Sequence, residues 1–146
     1  MSEPVLYWSA EYSDAYVAAL RAFPDFQRAT KKFQGTILIR CLDNPEGEDV
    51  EVAYIIDRGE LRAERKAQKA PWAQMRGAAF DKGAAFARTT APYAVWCRLD
   101  KGELSVLGAI ASPDYAVEGP KLKIMANIGI FNAMGACAMA MKKRYA

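Results

Sequence analysis

The chain contains no histidine. That removes the side chain best suited to general acid–base work near neutrality. It also removes the usual partner of a serine or cysteine nucleophile and the commonest zinc ligand. Cysteine is scarce: Cys41, Cys97 and Cys137 are far apart and odd in number. No C-x-x-C pair exists, so a finger-type zinc site is excluded. The three read as reduced, mostly buried thiols of an intracellular, cytoplasmic protein. Neither a P-loop nor a G-x-G-x-x-G turn is present, so the sequence offers no phosphate cradle. No metal and no cofactor are expected. Charge of one sign is lacking too, with 20 basic and 17 acidic residues and a net charge of +3. No basic run is interleaved with aromatics, and no nucleic-acid partner is expected. The N-terminal M-S-E-P-V-L-Y-W has no basic start followed by an apolar core, so no secretory signal is expected.

What is present is apolar. Hydrophobic residues make up 52% of the 146 positions and charged residues 25%, the balance of a soluble globular chain. No repeat, low-complexity tract or linker appears, so residues 1–146 read as a single domain. The richest stretch runs from Gly119 towards the C-terminus and reads as one long helix opened by Pro120. Ile124, Ile128, Phe131, Gly135 and Ala138 form one stripe, and Ile130, Met134, Cys137 and Met141 a second. Lys142, Lys143 and Arg144 sit where cations complement a helix C-terminus. A helix apolar nearly all round must be buried on most sides. Its residues are small (Ala126, Gly129, Ala133, Gly135, Ala136, Ala138, Ala140) or flexible (Met125, Met134, Met139, Met141). Such a surface either packs closely in a filled core or walls a cavity. A membrane-spanning role is disfavoured, because the stretch barely reaches the ~20 residues required and contains Asn127 and Asn132.

Upstream, Tyr7 to Phe33 reads as two helices. Tyr12, Tyr16, Ala19, Leu20 and Phe23 line the first, and Pro24 ends it and opens the second. Tyr7, Trp8 and Phe23 read as core anchors. Thr36–Leu42 is a strand. Val50–Asp57 is another, with Val52, Tyr54 and Ile56 on one face. Arg58-Gly59 is a tight turn. Glu60 to Gln68 alternates as a half-exposed strand near a sheet edge, its charges a solvated face. Residues 70–82 read as a loop with a short helical turn, and Gly83–Thr90 as a fourth strand. Pro92 opens a short helix carrying Tyr93, Trp96 and Leu99, Ser105–Ala111 forms another short helix, and Asp114–Glu118 is a fifth strand. An alternative joins Tyr93–Leu99 and Glu103–Ile110 into a hairpin across Asp100-Lys101-Gly102.

The run Trp96-x-x-Leu99-x-x-Gly102-Glu103-Leu104, then Ala109-Ile110-x-Ser112, then Tyr115-x-Val117-Glu118-Gly119 resembles the sterol carrier protein family of non-specific lipid-transfer domains. The match covers roughly the last third of the chain, and the upstream order of elements agrees with the family pattern. The resemblance implies an α+β fold: a five-stranded, mainly antiparallel but mixed sheet, covered on one face by helices and closed by a long C-terminal helix. It also implies an apolar cavity between sheet and helices for a fatty acyl chain, acyl-CoA, sterol or phospholipid.

With the resemblance added, the leading reading is non-catalytic lipid binding or transfer. The candidate ligand-binding residues are Val52, Tyr54 and Ile56 on the sheet, Tyr93 and Trp96 at a rim, and Ile124, Ile128, Phe131, Met134, Gly135 and Ala138 on the last helix. Lys121 and Lys123 are candidates for a head group, against ordinary solvent exposure. The expected partner is a lipid or fatty acyl ligand, with transient membrane contact and a homodimer among the assemblies the sequence allows. Two rivals remain. One is a dimerisation module that docks the apolar helix on a second subunit. The other is an enzyme with Cys97 or Cys137 as nucleophile, for which no base of suitable pKa is visible.

Overall fold

The computed structural model describes residues 3–146, so the first two residues of the stretch read for a signal lie outside it. Val5–Leu6 is a short strand, β1. Ser9 accepts from the Tyr12 amide at 3.1 Å and starts helix α1, Ala10–Arg21. Pro24 opens α2, Pro24–Thr30. Three strands follow, β2 (Gln34–Leu42), β3 (Glu48–Asp57) and β4 (Glu60–Lys69). Arg58 and Gly59, with φ of 47° and 91°, make the two-residue turn that joins β3 to β4. Then come α3 (Ala73–Gly77), β5 (Ala87–Pro92), α4 (Tyr93–Asp100) and α5 (Val106–Ile110). The chain ends with β6 (Ala116–Glu118), α6 (Lys121–Ala126), α7 (Ile128–Ala140) and β7 (Lys143–Arg144). The stretch with the open alternative is thus two helices, not a hairpin.

The main sheet has the order β4-β3-β2-β5-β6. Only the β2–β5 pairing is parallel, so it is the mixed, mainly antiparallel five-stranded sheet the sequence implied. Ile37, Ile39 and Cys41 pair with Tyr54, Val52 and Val50 across β2 and β3, and directly opposed residues share a face. That face is buried under α1, α2, α4 and α7. The opposite face is mostly polar, and short α3 lies on part of it. There Arg40, 2% exposed, donates to the Met75 carbonyl, and Arg88 donates to Ala78 O at 2.9 Å and to both Glu118 carboxylate oxygens. At the end of β6, Gly119 has φ 138°, and a Cβ there would stand 2.7 Å from the Phe86 carbonyl oxygen. No larger residue fits.

One expectation is corrected. The C-terminal helix is not continuous from Pro120: it breaks at Asn127 into α6 and α7. The Asn127 side chain donates to Lys123 O at 2.9 Å while its own amide bonds the Lys123 and Ile124 carbonyls. This local bonding competes with propagation of the helix, and the backbone at Asn127 leaves helical values, with φ −113° and ψ 21°. Ile124 therefore does not continue the stripe of Ile128, Phe131, Gly135 and Ala138, which all lie in α7.

A two-stranded parallel sheet joins the ends of the chain, with Val5 opposite Lys143 and Leu6 opposite Arg144. A buried ion pair anchors it. Lys143 Nζ lies 3.0 Å from Asp100 Oδ2, with the side chains 2% and 1% exposed. The same ammonium donates to the Ala138 carbonyl and, at 3.0 Å, to Met141 O, so it caps the last turn of α7. The Tyr145 hydroxyl donates to Asp100 Oδ2 as well. Breaking a buried pair strands the other charge, whereas apolar residues of similar volume in place of both are often neutral.

Asp49, fully buried, organises the other end of the sheet. It accepts from the Asp43 amide at 3.0 Å, the Trp72 amide at 2.8 Å and the Arg76 guanidinium at 2.7 and 2.9 Å. Burial by itself would raise its carboxyl, but these donors outweigh burial and hold it at about 2.

Two outcomes are expected. A carboxyl depressed in the folded state contributes stability above its unfolded pKa of about 3.9 and loses it as pH falls through the folded value. Urea unfolding at intervals from about pH 5 to 2 should show a loss on the order of 2 kcal/mol from Asp49, and Asp49→Asn should flatten that slope. At the terminal sheet, Lys143→Met should cost about 3–5 kcal/mol, and Asp100→Leu combined with Lys143→Met should regain most of it. A double variant as unstable as the single one would show that the stranded charge is not the cause.

Candidate functional site

Between the sheet and α7 lies a cavity of about 360 Å³. The sheet supplies Ile39 and Tyr54. The N-terminal segment and α1 supply Tyr7, Trp8, Tyr12 and Tyr16, while Trp96, Leu99 and Tyr115 stand on another side. Helix α7 covers the space with Phe131, Met134, Gly135 and Ala138, and Gly102, Leu104, Val106 and Met139 also border it. Met139, 51% exposed, marks where the cavity meets solvent.

The walls hold their shape through ring contacts and a few hydrogen bonds. Trp8 and Trp96 lie 5.4 Å apart, Tyr12 stacks on Tyr16 at 5.4 Å, and Tyr16 meets Tyr54 edge-on at 5.8 Å. The two tyrosine pairs are the stacked and T-shaped arrangements that aromatic quadrupoles favour, and the tryptophans are tilted at 48°. Trp96 Nε1 donates to Arg40 O at 3.0 Å, tying α4 to β2. The Tyr16 hydroxyl donates to Met134 O at 2.7 Å, tying α1 to α7. Trp8 has φ 65°, a region that favours glycine, and Asn44 Nδ2 holds its carbonyl at 3.2 Å. Holding a large ring in that conformation is offset by its burial, with Trp8 only 4% exposed.

The space exists because α7 presents little there. A Cβ added at Gly135 would find Val106 Cγ2 at 3.8 Å, an ordinary contact, with nothing closer. The opposite side of α7 is filled, with Ile130 and Cys137 1% and 2% exposed and the helix packed on α1 and α2. The tyrosines lining the cavity stay neutral, since burial raises the Tyr7, Tyr12, Tyr16 and Tyr54 hydroxyls above their ordinary range. Among the described residues, Asp100 is the one charged residue in the lining.

Of the residues singled out from the sequence, Tyr54, Trp96, Phe131, Met134, Gly135 and Ala138 meet around this cavity. Val52 and Ile56 flank Tyr54 on β3 but sit in the filled core, each 1% exposed. Tyr93 lies outside the lining, its hydroxyl accepting from the Ala146 amide at 3.2 Å. Ile124, displaced by the break at Asn127, packs against Gly119, and Ile128, half-buried in the first turn of α7, does not border the cavity. Lys121 and Lys123 are exposed on α6 and do not border the cavity. Sequence reasoning treats Tyr7, Trp8, Tyr12 and Tyr16 as core and gives Asp100 no role. The available signal is chemical: an apolar face built from tyrosines rather than phenylalanines carries hydroxyls that a filled core has no use for.

The thiols are poorly placed for nucleophilic work. All three are free and buried. Burial pushes Cys137 up to about 11 and raises Cys41 and Cys97 as well. Among the described residues no cluster of three or more potential metal ligands occurs, and no helix is long and apolar enough to cross a membrane.

No protein-family model and no curated protein matches the chain. Solved structures do. A crystal structure of sterol carrier protein 2 superposes with a TM-score of 0.72 at 17% identity, covering 92% of this chain and 98% of that one. A conserved hypothetical protein from Thermus thermophilus, described as a candidate sterol carrier protein, gives 0.70 at 17% identity over 98% and 94%. The apo form of sterol carrier protein 2 from Yarrowia lipolytica gives 0.58 at 13% identity over 95% and 97%. The chain thus has the sterol carrier protein 2 fold over most of its length.

Proposed function

We propose that this chain binds a lipid by burying its apolar part in the cavity under α7, and carries it through water without chemical change. The observation that carries the reading is the cavity itself: about 360 Å³, bordered by aromatic rings on one side and by the small face of Gly135 and Ala138 on the other. Its size falls in the range of small-molecule pockets, which are mostly apolar with few polar groups. The fold shared with sterol carrier protein 2 supports the same use. The physics is sequestration. Each methylene removed from water contributes ~0.8 kcal/mol, so an ordinary acyl chain needs no specific polar contact to be held. Tyr7, Trp8, Tyr12, Tyr16, Tyr54, Trp96, Phe131, Met134, Gly135 and Ala138 are the contact residues of this reading. Three unpaired thiols fit a reducing, cytoplasmic setting. The rival dimerisation reading needs α7 free to dock, and most of α7 is spent inside its own domain.

Filling the cavity from α7 tests this. Leucine is a far better helix former than glycine, by most of ~1 kcal/mol, and the Gly135 position has room. Gly135→Leu should therefore hold or raise the stability of delipidated protein. It should also lower uptake of a fluorescent long-chain acyl ester at least tenfold, because ligand and side chain compete for one volume. Ala138→Leu, one turn on, should act in the same direction. In the unsubstituted protein the ester should shift tryptophan emission, and Trp96→Phe should reduce that shift, leaving the part due to Trp8. Destabilisation with undiminished uptake would overturn the cavity reading.

A further inference from the structure

Four large hydrophobic side chains stand exposed on α7 and on the two short helices packed against it: Leu107 on α5, Leu122 and Met125 on α6, and Met139 on α7. Among the described residues the only other one left exposed is Tyr145, which bonds Asp100. Leu122 is 89% exposed. Single apolar residues scattered over a surface need no explanation, but a grouped set does.

The outer side of α7 adds to the group. A surface helix of a soluble protein ordinarily carries charge on its outer side. Here no charged residue occurs between Lys123 and Lys142. Gly129, Asn132, Ala136, Met139 and Ala140 are what α7 shows to solvent. Asn132, Ala136 and Met139 also border the cavity, so its opening lies within this uncharged face.

Charge gathers at the two ends of the face instead. Lys121 and Lys123 are exposed at one end, Lys142 and Arg144 at the other. No acidic residue occurs between Lys121 and Ala146. Among the described residues none of these four cations forms an ion pair. Next to the opening, exposed Glu103 is balanced in charge by exposed Lys101.

Resting on the lipid-carrying reading above, we infer that α6 and the outer side of α7 form the surface by which the protein docks on an anionic bilayer. Leu122, Met125 and Met139 enter the headgroup boundary. The cations at either end meet lipid phosphates and carboxylates, and the cavity opens against lipid instead of water. An apolar helix face with basic flanks is the pattern that lies in a membrane interface. Each cation held near an anionic leaflet adds attraction. A second copy of the chain fits this face less well. In an isologous pair α7 meets α7. Both ends of the face are basic, so parallel and antiparallel arrangements alike oppose cation to cation.

The test uses delipidated protein and two vesicle types, phosphatidylcholine alone and phosphatidylcholine with about one third phosphatidylserine. Sedimentation with vesicles should show about tenfold or more tighter binding to the anionic type. That binding should weaken as salt rises from about 0.1 to 0.5 M. The Lys121→Glu, Lys123→Glu double variant should lose about tenfold or more of the affinity. Both positions are exposed and outside the cavity lining, so uptake of the fluorescent acyl ester without vesicles should not change. A polarity-sensitive maleimide reports the contact itself, since the three native thiols are buried. On Leu122→Cys its emission should shift to the blue with anionic vesicles. On Glu64→Cys, an exposed position on the far face of the sheet, it should not. Equal affinity for both vesicle types, unchanged affinity in the double variant, or a label that stays silent on Leu122→Cys each overturns the inference and leaves carriage intact. A label shift that needs no vesicles and grows with protein concentration assigns the face to a second copy and overturns it too. If the ester does not bind while the vesicle results are as expected, the carriage reading falls and the docking surface stands.

Discussion

Where α7 crosses the sheet it presents glycine and alanine at positions that a core helix ordinarily fills with leucine or isoleucine. Interiors pack at nearly crystalline density, and unfilled volume loses dispersion contacts on both sides of the gap. A chain that leaves about 360 Å³ open must therefore hold the walls apart by other means. Here the restraint comes from outside the cavity. Ile130 and Cys137 on the far side of α7 are packed in the core. The Tyr16 hydroxyl bonds Met134 O, and Trp96 Nε1 bonds Arg40 O. The rings of the N-terminal segment brace one another and not α7 alone. Each contact resists collapse of α7 onto Tyr54 without occupying the space between them.

The ends of the chain share this task. β1 and β7 lie side by side, and the residues just beyond β1, Tyr7 and Trp8, are part of the cavity wall. The pair of Asp100 and Lys143 joins α4, the last turn of α7 and β7 at one point. By itself a buried ion pair is weak evidence for stability, because desolvation opposes the Coulomb attraction. Its consequence here is geometric. The lysine's three donors and one carboxylate oxygen fix the relative placement of three elements that border or close the cavity, and the second carboxylate oxygen is left without a partner.

Much of the fold is legible in the sequence, for local reasons. Alternation in β3 identifies Val52, Tyr54 and Ile56 as one face, and Pro24 and Ser105 mark helix starts where they stand. Charges at Glu60, Arg62, Glu64 and Lys66 read as the solvated face of a strand near a sheet edge, and the strand order puts β4 at the edge. The failures also have local causes. Periodicity runs on through Asn127 as though the helix did, because apolar spacing carries no record of a side chain bonding a backbone carbonyl. It therefore places Ile124 on a face that turns away. The aromatic wall is hidden because tyrosine at helical spacing reads like any core residue until its neighbours are known. Asp100 cannot be read at all: its partners, Lys143 and Tyr145, are distant in the chain and meet it only through the pairing of β1 with β7.

Affinity and selectivity come from different parts of such a site. An apolar wall with few polar groups rewards buried area and is nearly indifferent to which methylenes supply it. Met134 and Met139 extend that tolerance, since an unbranched thioether re-packs against many shapes. Discrimination must then come from groups whose satisfaction depends on the ligand's own donors and acceptors. A site built to hydrogen-bond a hydroxyl rejects analogues that lack it far more strongly than an apolar pocket rejects one methylene more or less. In this cavity the polar side chains of the lining are few: neutral tyrosines, Ser105, Asn132 and Asp100. The small face of α7, with Gly135 and Ala138, sets the volume that stays open between the helix and Tyr54.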